Sequence, residues 1–206
     1  MISIKGIAGA AAILIGLSAP SAQAGYVVDL TQQGSNVVAT GSGTIDLTDL
    51  SIPMFGSPAF TLPFIQPQND SLITGPASGG EVDFYGKITG PASFGMHAFA
   101  IPSSGSGDIV GIDSPAYLAV PHGYISGSAL SSTSTWDDTT LASLGVMPGT
   151  HEWTWGSGAD ADSFTLVIGS GSAVPEPSTW AMLLLGFTGL GCMGYRSAGR
   201  RTASHT

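Results

Sequence analysis

Two stretches decide the fold: His151-Glu152-Trp153-Thr154-Trp155 and Ser163-Phe164-Thr165-Leu166-Val167-Ile168. In each of them large apolar side chains alternate with polar ones, which is the period of a β-strand that buries one face. A segment rich in Gly, Ser and Asp lies between the two stretches. We therefore predict that they pair as an antiparallel hairpin that closes the domain.

The chain before this hairpin contains similar short segments. Further strands are predicted at 26–30, 36–40, 44–48, 82–88, 93–101, 117–120 and 123–128. Pro63 interrupts the apolar segment 60–65, which favours an edge strand or an extended loop there. A helical pattern is found only at 137–144, with an acidic cap and with Gly145 as its stop. Many short strands with Gly/Pro turns predict an all-β domain, namely an antiparallel β-sandwich of the jelly-roll type or a related one.

The composition limits the class of protein. Of the 206 residues, 43% are hydrophobic and only 9% are charged, whereas a typical soluble domain has about 25% charged residues. Eight Phe, five Tyr and four Trp give folding a large apolar area to bury, which argues against a disordered chain. The single cysteine, Cys192, excludes a disulfide scaffold.

Charge is distributed unevenly along the chain. Thirteen of the fourteen carboxylates lie between residues 25 and 174, where Lys87 is the only Lys or Arg. Because nucleic-acid affinity comes mainly from Lys and Arg that neutralise phosphates, we expect no nucleic-acid partner. The same shortage of cations argues against docking of the main domain on anionic lipid.

The first 24 residues have the pattern of a secretory signal peptide. Lys5 precedes an apolar run at 7–17, and Ala22-Gln23-Ala24 matches the small-x-small cleavage pattern. We predict a signal helix that signal peptidase removes between Ala24 and Gly25. The apolar run of about eleven residues is short for a membrane span. The alternative to a signal peptide is a buried N-terminal helix.

The C-terminal segment 173–206 has three parts in order. Val174-Pro175-Glu176-Pro177 is stiff and extended, because each proline fixes its own φ and restricts the residue before it. The apolar segment at about 178–195 is about 27 Å long as a helix, slightly less than a hydrocarbon core of about 30 Å, and it is just long enough for a span. A basic tail, 196–206, follows it. The arginines that should keep this tail in the cytoplasm are Arg196, Arg200 and Arg201.

Together these three parts resemble the C-terminal sorting signal of PEP-CTERM proteins. The resemblance implies a Gram-negative exporter and recognition by an exosortase, a membrane-embedded cysteine transpeptidase, with residues 174–177 as the substrate motif. In that family the processing is associated with biofilm and exopolysaccharide surfaces. The expected organisation is a signal peptide at 1–24, an exported β-sandwich at 25–172 and the sorting signal at 173–206. A permanent C-terminal anchor that is never cut is the alternative.

Motifs for catalysis are incomplete. The exported segment lacks G-x-S-x-G, so its many serines and its histidines (His97, His122 and His151) do not by themselves indicate a serine hydrolase. His151-Glu152 begins a zinc-peptidase motif, but Trp155 occupies the position of the second histidine. The glycines at 189–194 have dinucleotide-binding spacing without the strand and acidic residue that such a site needs. We therefore predict no enzyme and no cofactor.

Acidic and aromatic residues of the exported segment suggest two kinds of ligand, calcium and a glycan. Three acidic pairs have oxygen ligands of the kind calcium takes, although solvated loop carboxylates are the simpler interpretation and no metal site is predicted: Asp108 with Asp113, Asp137 with Asp138, and Asp160 with Asp162. Sugars stack on aromatic rings, and Trp136, which lies in a polar Ser/Thr segment, is the candidate glycan contact. Trp153 and Trp155 share one strand face and are expected in the core.

These features favour a non-enzymatic surface or extracellular-matrix protein, held transiently at the membrane with its domain in the periplasm and then moved to the cell surface or medium. The expected partners are signal peptidase, exosortase and, through the C-terminal helix, the membrane; exopolysaccharide is a candidate ligand. The alternatives are a carbohydrate-binding module that acts on exopolysaccharide and a permanently anchored protein with an outward-facing β domain. A hydrolase ranks third.

Overall fold

The structure is a computed structural model that describes residues 25–51, 58–96, 99–115 and 117–169. These residues form twelve β-strands and two short 3-10 turns, with no α-helix among them, so the predicted all-β class is confirmed. The first sheet contains β1 (Gly25–Gln33), β2 (Asn36–Thr44), β7 (Ser104–Gly107), β10 (Ala129–Trp136), β11 (Gly149–Trp155) and β12 (Asp162–Ile168). The second sheet contains β3 (Ala59–Thr61), β4 (Phe64–Gln66), β5 (Ser71–Thr74), β6 (Gly80–Tyr85), β8 (Val110–Asp113) and β9 (Tyr117–Pro121).

The first sheet has the strand order β11-β12-β1-β2-β10-β7. The predicted closing hairpin is confirmed, because β11 and β12 pair antiparallel. β1, however, runs parallel to β12, with Gly25 opposite Ser163 and Leu30 opposite Ile168. The expectation of antiparallel pairing throughout is wrong at this pair. The parallel register sets the apolar rows of the two strands side by side, namely Tyr26, Val28 and Leu30 beside Phe164, Leu166 and Ile168.

The second sheet has the order β3-β6-β9-β8-β5-β4, so β3 and β4 are its opposite edges. A flat sheet of six strands would place its edges about 24 Å apart, at about 4.8 Å per strand. Only Leu62 and Pro63 separate the end of β3 from the start of β4, and this link spans at most about 11 Å. The sheet therefore curls into a half-barrel. The edge strand expected around Pro63 is confirmed at both edges.

The main core lies between the two sheets. Its members include Tyr26, Val28 and Leu30 from β1 and Leu72, Ile112 and Leu118 from the second sheet, all fully buried. Trp153 and Trp155 also belong to it, as predicted. A smaller cluster fills the other face of the half-barrel and contains Ile73, Val82, Phe84, Ile109 and Ala119. Two six-stranded sheets differ from the eight strands of a jelly roll, so only the broader expectation of a related two-sheet domain holds.

Two predicted elements are absent from the structure, the strand at 44–48 and the helix at 137–144. At 44–48 no strand follows β2, because the backbone N–H groups of Ile45, Asp46 and Leu47 donate to side chains instead: Tyr124 OH, Asp162 Oδ2 and Ser126 Oγ, respectively. At 137–144 turns replace the predicted helix, and Asp138 cannot belong to a right-handed helix because its φ is 49°, in the left-handed region. Gly145, at a φ of 63°, still ends the turn that replaces it.

Other strand predictions fail at segments held by isolated contacts. The described part of 93–101 makes only the bridges Gly95 to Val146 and Ala100 to Ile65, and 123–128 forms turns. β7, β8 and β10 were not predicted. The sequence of β10 indicates a polar loop because serine and threonine occupy both faces of the strand.

The predicted signal helix at 1–24 and the membrane helix at about 178–195 lie outside the described residues. Within the described ranges, no helix has the length and hydropathy that a membrane crossing requires.

A chain of buried hydroxyl groups joins the two sheets. Ser132 Oγ of β10 lies 2.7 Å from Tyr26 OH of β1 and 2.6 Å from Thr74 Oγ1 of β5. Thr74 Oγ1 in turn donates to the carbonyl of Val110 at 3.0 Å. Burial raises the pKa of Tyr26 to about 12, so its hydroxyl stays neutral and available for this hydrogen bond.

Replacing Ser132 by Ala should therefore destabilise the protein. The hydroxyl of Tyr26 would lose its partner in a buried site, and an unsatisfied buried polar group costs about 1–3 kcal/mol. Urea unfolding should show that decrease in the free energy of unfolding. Ser131→Ala, at an exposed position of the same strand, is the matched control and should change it by less than about 0.5 kcal/mol. Equal effects of the two variants would contradict the bridging role.

Candidate functional site

The predicted processing sites lie at the two ends of the described domain. The sorting residues Val174, Pro175, Glu176 and Pro177, the arginines Arg196, Arg200 and Arg201, and the cleavage residues Ala22 and Ala24 all lie outside the described residues. Gly25 is described and begins β1, and Gly169 directly follows β12. Because β1 and β12 are parallel neighbours, the predicted N-terminal cleavage point and the exit of the sorting segment are at opposite ends of the same sheet.

The C-terminal exit is held by strands on both sides. β12 lies between β11 and β1, and the pairing extends to Ile168, which is opposite Gly149 in β11 and Leu30 in β1. One residue further, the N–H of Gly169 still donates to the carbonyl of Leu30 at 3.0 Å. The last described residues before the sorting segment therefore belong to a strand that is paired on both sides.

A cleft of about 460 Å³ lies beside this exit. Its lining residues are Thr31, Gln32, Leu141, Pro148, Ile168 and Gly169. The side chain of Gln32 stabilises the cleft by hydrogen bonds. Its Nε2 donates to the carbonyls of Gly34, Asn36 and Thr139. Its Oε1 accepts from the N–H of Leu141. The β1–β2 turn and the 139–141 loop are thus joined into one surface where the chain leaves the domain.

The opposite end contains a buried carboxylate. Asp162, the first residue of β12, is 2% exposed. Its Oδ2 accepts the N–H of Asp46 at 2.6 Å and its Oδ1 accepts the N–H of Ser163 at 2.7 Å. Burial is the main cause that raises the pKa of Asp162, and the charge of Asp46 raises it further. Hydrogen bonds from Thr48 hold the pKa of Asp46 below its ordinary value, so Asp46 stays anionic.

A second buried carboxylate, Asp70, was missed by the sequence analysis. It is 7% exposed, and its Oδ2 accepts the indole N–H of Trp153 at 2.8 Å while its Oδ1 has no hydrogen-bond partner. Burial raises the pKa of Asp70 to about 6, against the lowering effects of Trp153 and His151. The sequence signal was only a polar Asn-Asp pair in a turn, which does not predict that the core closes over it.

Among the described residues, the histidines and acidic residues that the sequence offers for catalysis or metal binding lie in separate places. His122 Nδ1 lies 3.0 Å from Asp83 Oδ1, and the other oxygen of Asp83 accepts the N–H of Gly123, so the carboxylate fastens a turn. No hydrogen bond recorded among the described residues joins a serine hydroxyl to His122. His151 contacts the carbonyl of Met147, and His97 lies outside the described residues. In the part of the chain that the structure describes, no three His, Cys, Asp or Glu side chains converge as metal ligands.

The candidate glycan contact Trp136 is not on the surface. It is the last residue of β10 and is 2% exposed, with its indole N–H directed at the carbonyl of Ala100 at 3.4 Å. The expectation that it lies in an exposed polar loop is therefore wrong. Alternate residues of β10 face the core, and Trp136 continues the inward row formed by Leu130, Ser132 and Ser134.

Asp70 gives the domain a pH-dependent stability. The folded state binds the Asp70 proton more tightly than the unfolded chain does, so the contribution of Asp70 to stability is full below pH 4 and is lost as the pH rises through about 6. Asp70→Asn removes the buried charge and keeps an acceptor for Trp153. It should raise the free energy of unfolding at pH 8 by about 1–3 kcal/mol and flatten its dependence between pH 4 and pH 8.

Urea unfolding at several pH values measures this effect. Asp29→Asn, at an exposed position of β1, is the control and should leave the pH profile unchanged. A profile for Asp70→Asn that follows the wild type would show that Asp70 is not the titrating group.

The comparisons with known proteins concern the end of the chain. The model of the PEP-CTERM protein-sorting motif matches residues 173–201, which include Val174-Pro175-Glu176-Pro177 and all three arginines. The chain matches no curated protein and no solved structure. The motif implies export, membrane-associated sorting and processing by an exosortase. The resemblance expected from the sequence is thus confirmed, and the chain is a PEP-CTERM motif-containing protein.

Proposed function

We propose that this chain is a non-enzymatic surface or extracellular-matrix protein whose β domain is the cargo of the sorting motif. The observation that carries the proposal is the position of the motif: residues 173–201 begin four residues after Gly169, where the clamped strand β12 ends. A folded domain followed directly by a sorting segment is the arrangement that export and C-terminal processing need.

The surface of the domain supports a role outside catalysis. Its buried carboxylates hold parts of the fold: Asp70 and Asp162 accept indole or backbone N–H groups, and Asp83, paired with His122, fastens a turn. These contacts give each of the buried carboxylates a role in holding the fold together. The burial of Trp136 removes the observation that favoured a glycan-binding module, so that function is not proposed.

Export followed by exosortase processing places the domain first in the periplasm and then at the cell surface or in the medium. Signal peptidase and exosortase are its processing partners, and the membrane holds it through the apolar segment at about 178–195. A permanent anchor predicts a different fate, since the mature protein would then keep its C-terminus.

Glu176→Ala tests the sorting role. In a host that contains an exosortase, the variant should keep its C-terminal segment and remain in the membrane fraction, whereas the wild-type chain should lose it. Mass spectrometry of the mature protein measures the C-terminus. Glu152→Ala, on the exposed face of β11, is the matched control and should be processed normally. An intact C-terminus on the exported wild-type protein would contradict processing and support the permanent anchor.

The length of the linker provides a second test. Four residues lie between Gly169 and Val174, and the five Cα-to-Cα steps place the motif at most about 18 Å from Gly169. Deleting residues 170–172 shortens that reach to about 7 Å, so the folded domain should obstruct the protease and the processed fraction should fall.

Insertion of Gly-Ser-Gly after Ser172 is the control, and it should leave processing intact because it lengthens the same linker. Immunoblots of the membrane and released fractions measure the outcome. Normal processing of the deletion variant would show that the protease does not require free chain between the domain and the motif.

A further inference from the structure

The carboxylate of Asp162 is buried in a part of the molecule that contains no side-chain cation to balance it. Lys87 is the only Lys or Arg in the described ranges, and no cation contributes to the environment of Asp162. The charged or titratable groups that face it are Asp46, which is anionic, and the neutral phenol of Tyr124. A buried carboxylate without a counter-charge is destabilising unless it is protonated or paired.

The start of β1 lies beside this carboxylate. Gly25 is paired with Ser163, the residue after Asp162. A Cβ atom built on Gly25 would lie 3.8 Å from Asp162 Oδ1 and 3.2 Å from Ser163 Oγ. The nitrogen of a residue is two covalent bonds, or about 2.5 Å, from its Cβ position, so the Gly25 nitrogen is within about 6 Å of Oδ1.

We propose that removal of the signal peptide creates the missing counter-charge, as the new α-ammonium group of Gly25 binds the carboxylate of Asp162. Signal peptidase adds water across the Ala24–Gly25 amide, which leaves a carboxylate on Ala24 and an amine on Gly25. That amine takes up a proton at neutral pH, since the ordinary pKa of an α-amino group is about 7.7–8.0. A neutral amide N–H in the precursor thus becomes a cation with three donors, next to a buried anion.

Two consequences follow for the mature domain. The ammonium group connects the start of β1 to the start of β12 and so adds a charged contact to the parallel pairing of these strands. The precursor lacks this contact, so the domain gains stability at the moment the signal peptide is removed. The inference rests on cleavage between Ala24 and Gly25 and is independent of what happens at the C-terminus.

The amine content of the mature chain makes the test direct. After cleavage only two amino groups remain, the α-amine of Gly25 and the side chain of Lys87, so Lys87→Arg leaves a single amine. The full exported chain with this substitution, purified in detergent, is labelled by reductive methylation with ¹³C-formaldehyde, which retains the positive charge. The NMR titration of that one signal gives the pKa of the Gly25 amine.

The pKa of that amine should exceed the ordinary value by at least one unit, and Asp162→Asn in the same background should remove the increase. Asp160→Asn, at an exposed position two residues earlier, is the matched control and should retain it. An amine with an ordinary pKa in the folded Lys87→Arg protein would overturn the proposal. So would N-terminal sequencing that finds a first residue other than Gly25.

A second measurement does not depend on the folding of the Asp162 variant. Acetylation of the single amine removes its charge, and it should lower the midpoint of thermal unfolding by several degrees at pH 7. The same treatment at pH 4, where Asp162 is more fully protonated because its pKa is raised, should have a smaller effect. An unchanged midpoint at pH 7 would overturn the proposal, while C-terminal processing, measured separately, would still report on sorting.

Discussion

The parallel pairing of β1 with β12 is the constraint on which the first sheet depends. The two strands are the first and the last of the described domain, so every residue between them belongs to one long crossover. Among the strands of this sheet β11 pairs only with β12, and without β12 one edge of β1 is left open. The sheet is therefore completed only when residues 162–168 have reached the same side of the membrane as the rest of the domain.

The interior of the domain is more polar than the alternating strands alone suggest. Ser132, Tyr26 and Thr74 connect the two sheets by hydroxyl contacts, and Asp70 and Asp162 place carboxylates in the core. With Lys87 the only Lys or Arg in the described ranges, these carboxylates rely on N–H donors. The raised pKa of Asp70 means that the fold favours its protonated form, so mild acid stabilises this domain through that group. The same holds for Asp162 only in the precursor, before the ammonium group of Gly25 forms.

The sequence predicts those parts of the fold that depend on local patterns. β1, β11 and β12 have clear alternation of apolar residues, and Pro63 marks the break between two edge strands. β10 escapes prediction because its inward row contains Ser132 and Ser134, whose partners Tyr26, Thr74 and Gly75 are more than fifty residues away in sequence. The parallel register of β1 and β12 is unpredictable for the same reason, since no local pattern indicates which distant strand will pair with β1.

The candidate sites show the same difference between features set by local sequence and features set by distant contacts. The C-terminal sorting motif is a contiguous segment, recognisable from its order of residues alone, and the family model matches it. Trp136 was misassigned because polarity of its neighbours in sequence does not reveal burial, which depends on the pairing of β10 with β2 and β7. Asp70 and Asp162 acquire their properties only when β11, β12 and the segment after β2 are assembled around them.

The direction of the strands also determines how the domain resists a force applied to the sorting segment. A pull on the sorting segment acts along β12, which is paired over its whole length with β11 on one side and over six residues with β1 on the other. Hydrogen bonds in a sheet lie roughly across the strands, so such a pull loads both ladders in shear, and many bonds must yield together. An edge strand pulled away from its neighbour would lose them one at a time. The interior position of β12 therefore suits a domain that must stay folded while the segment attached to it is held at a membrane and cut.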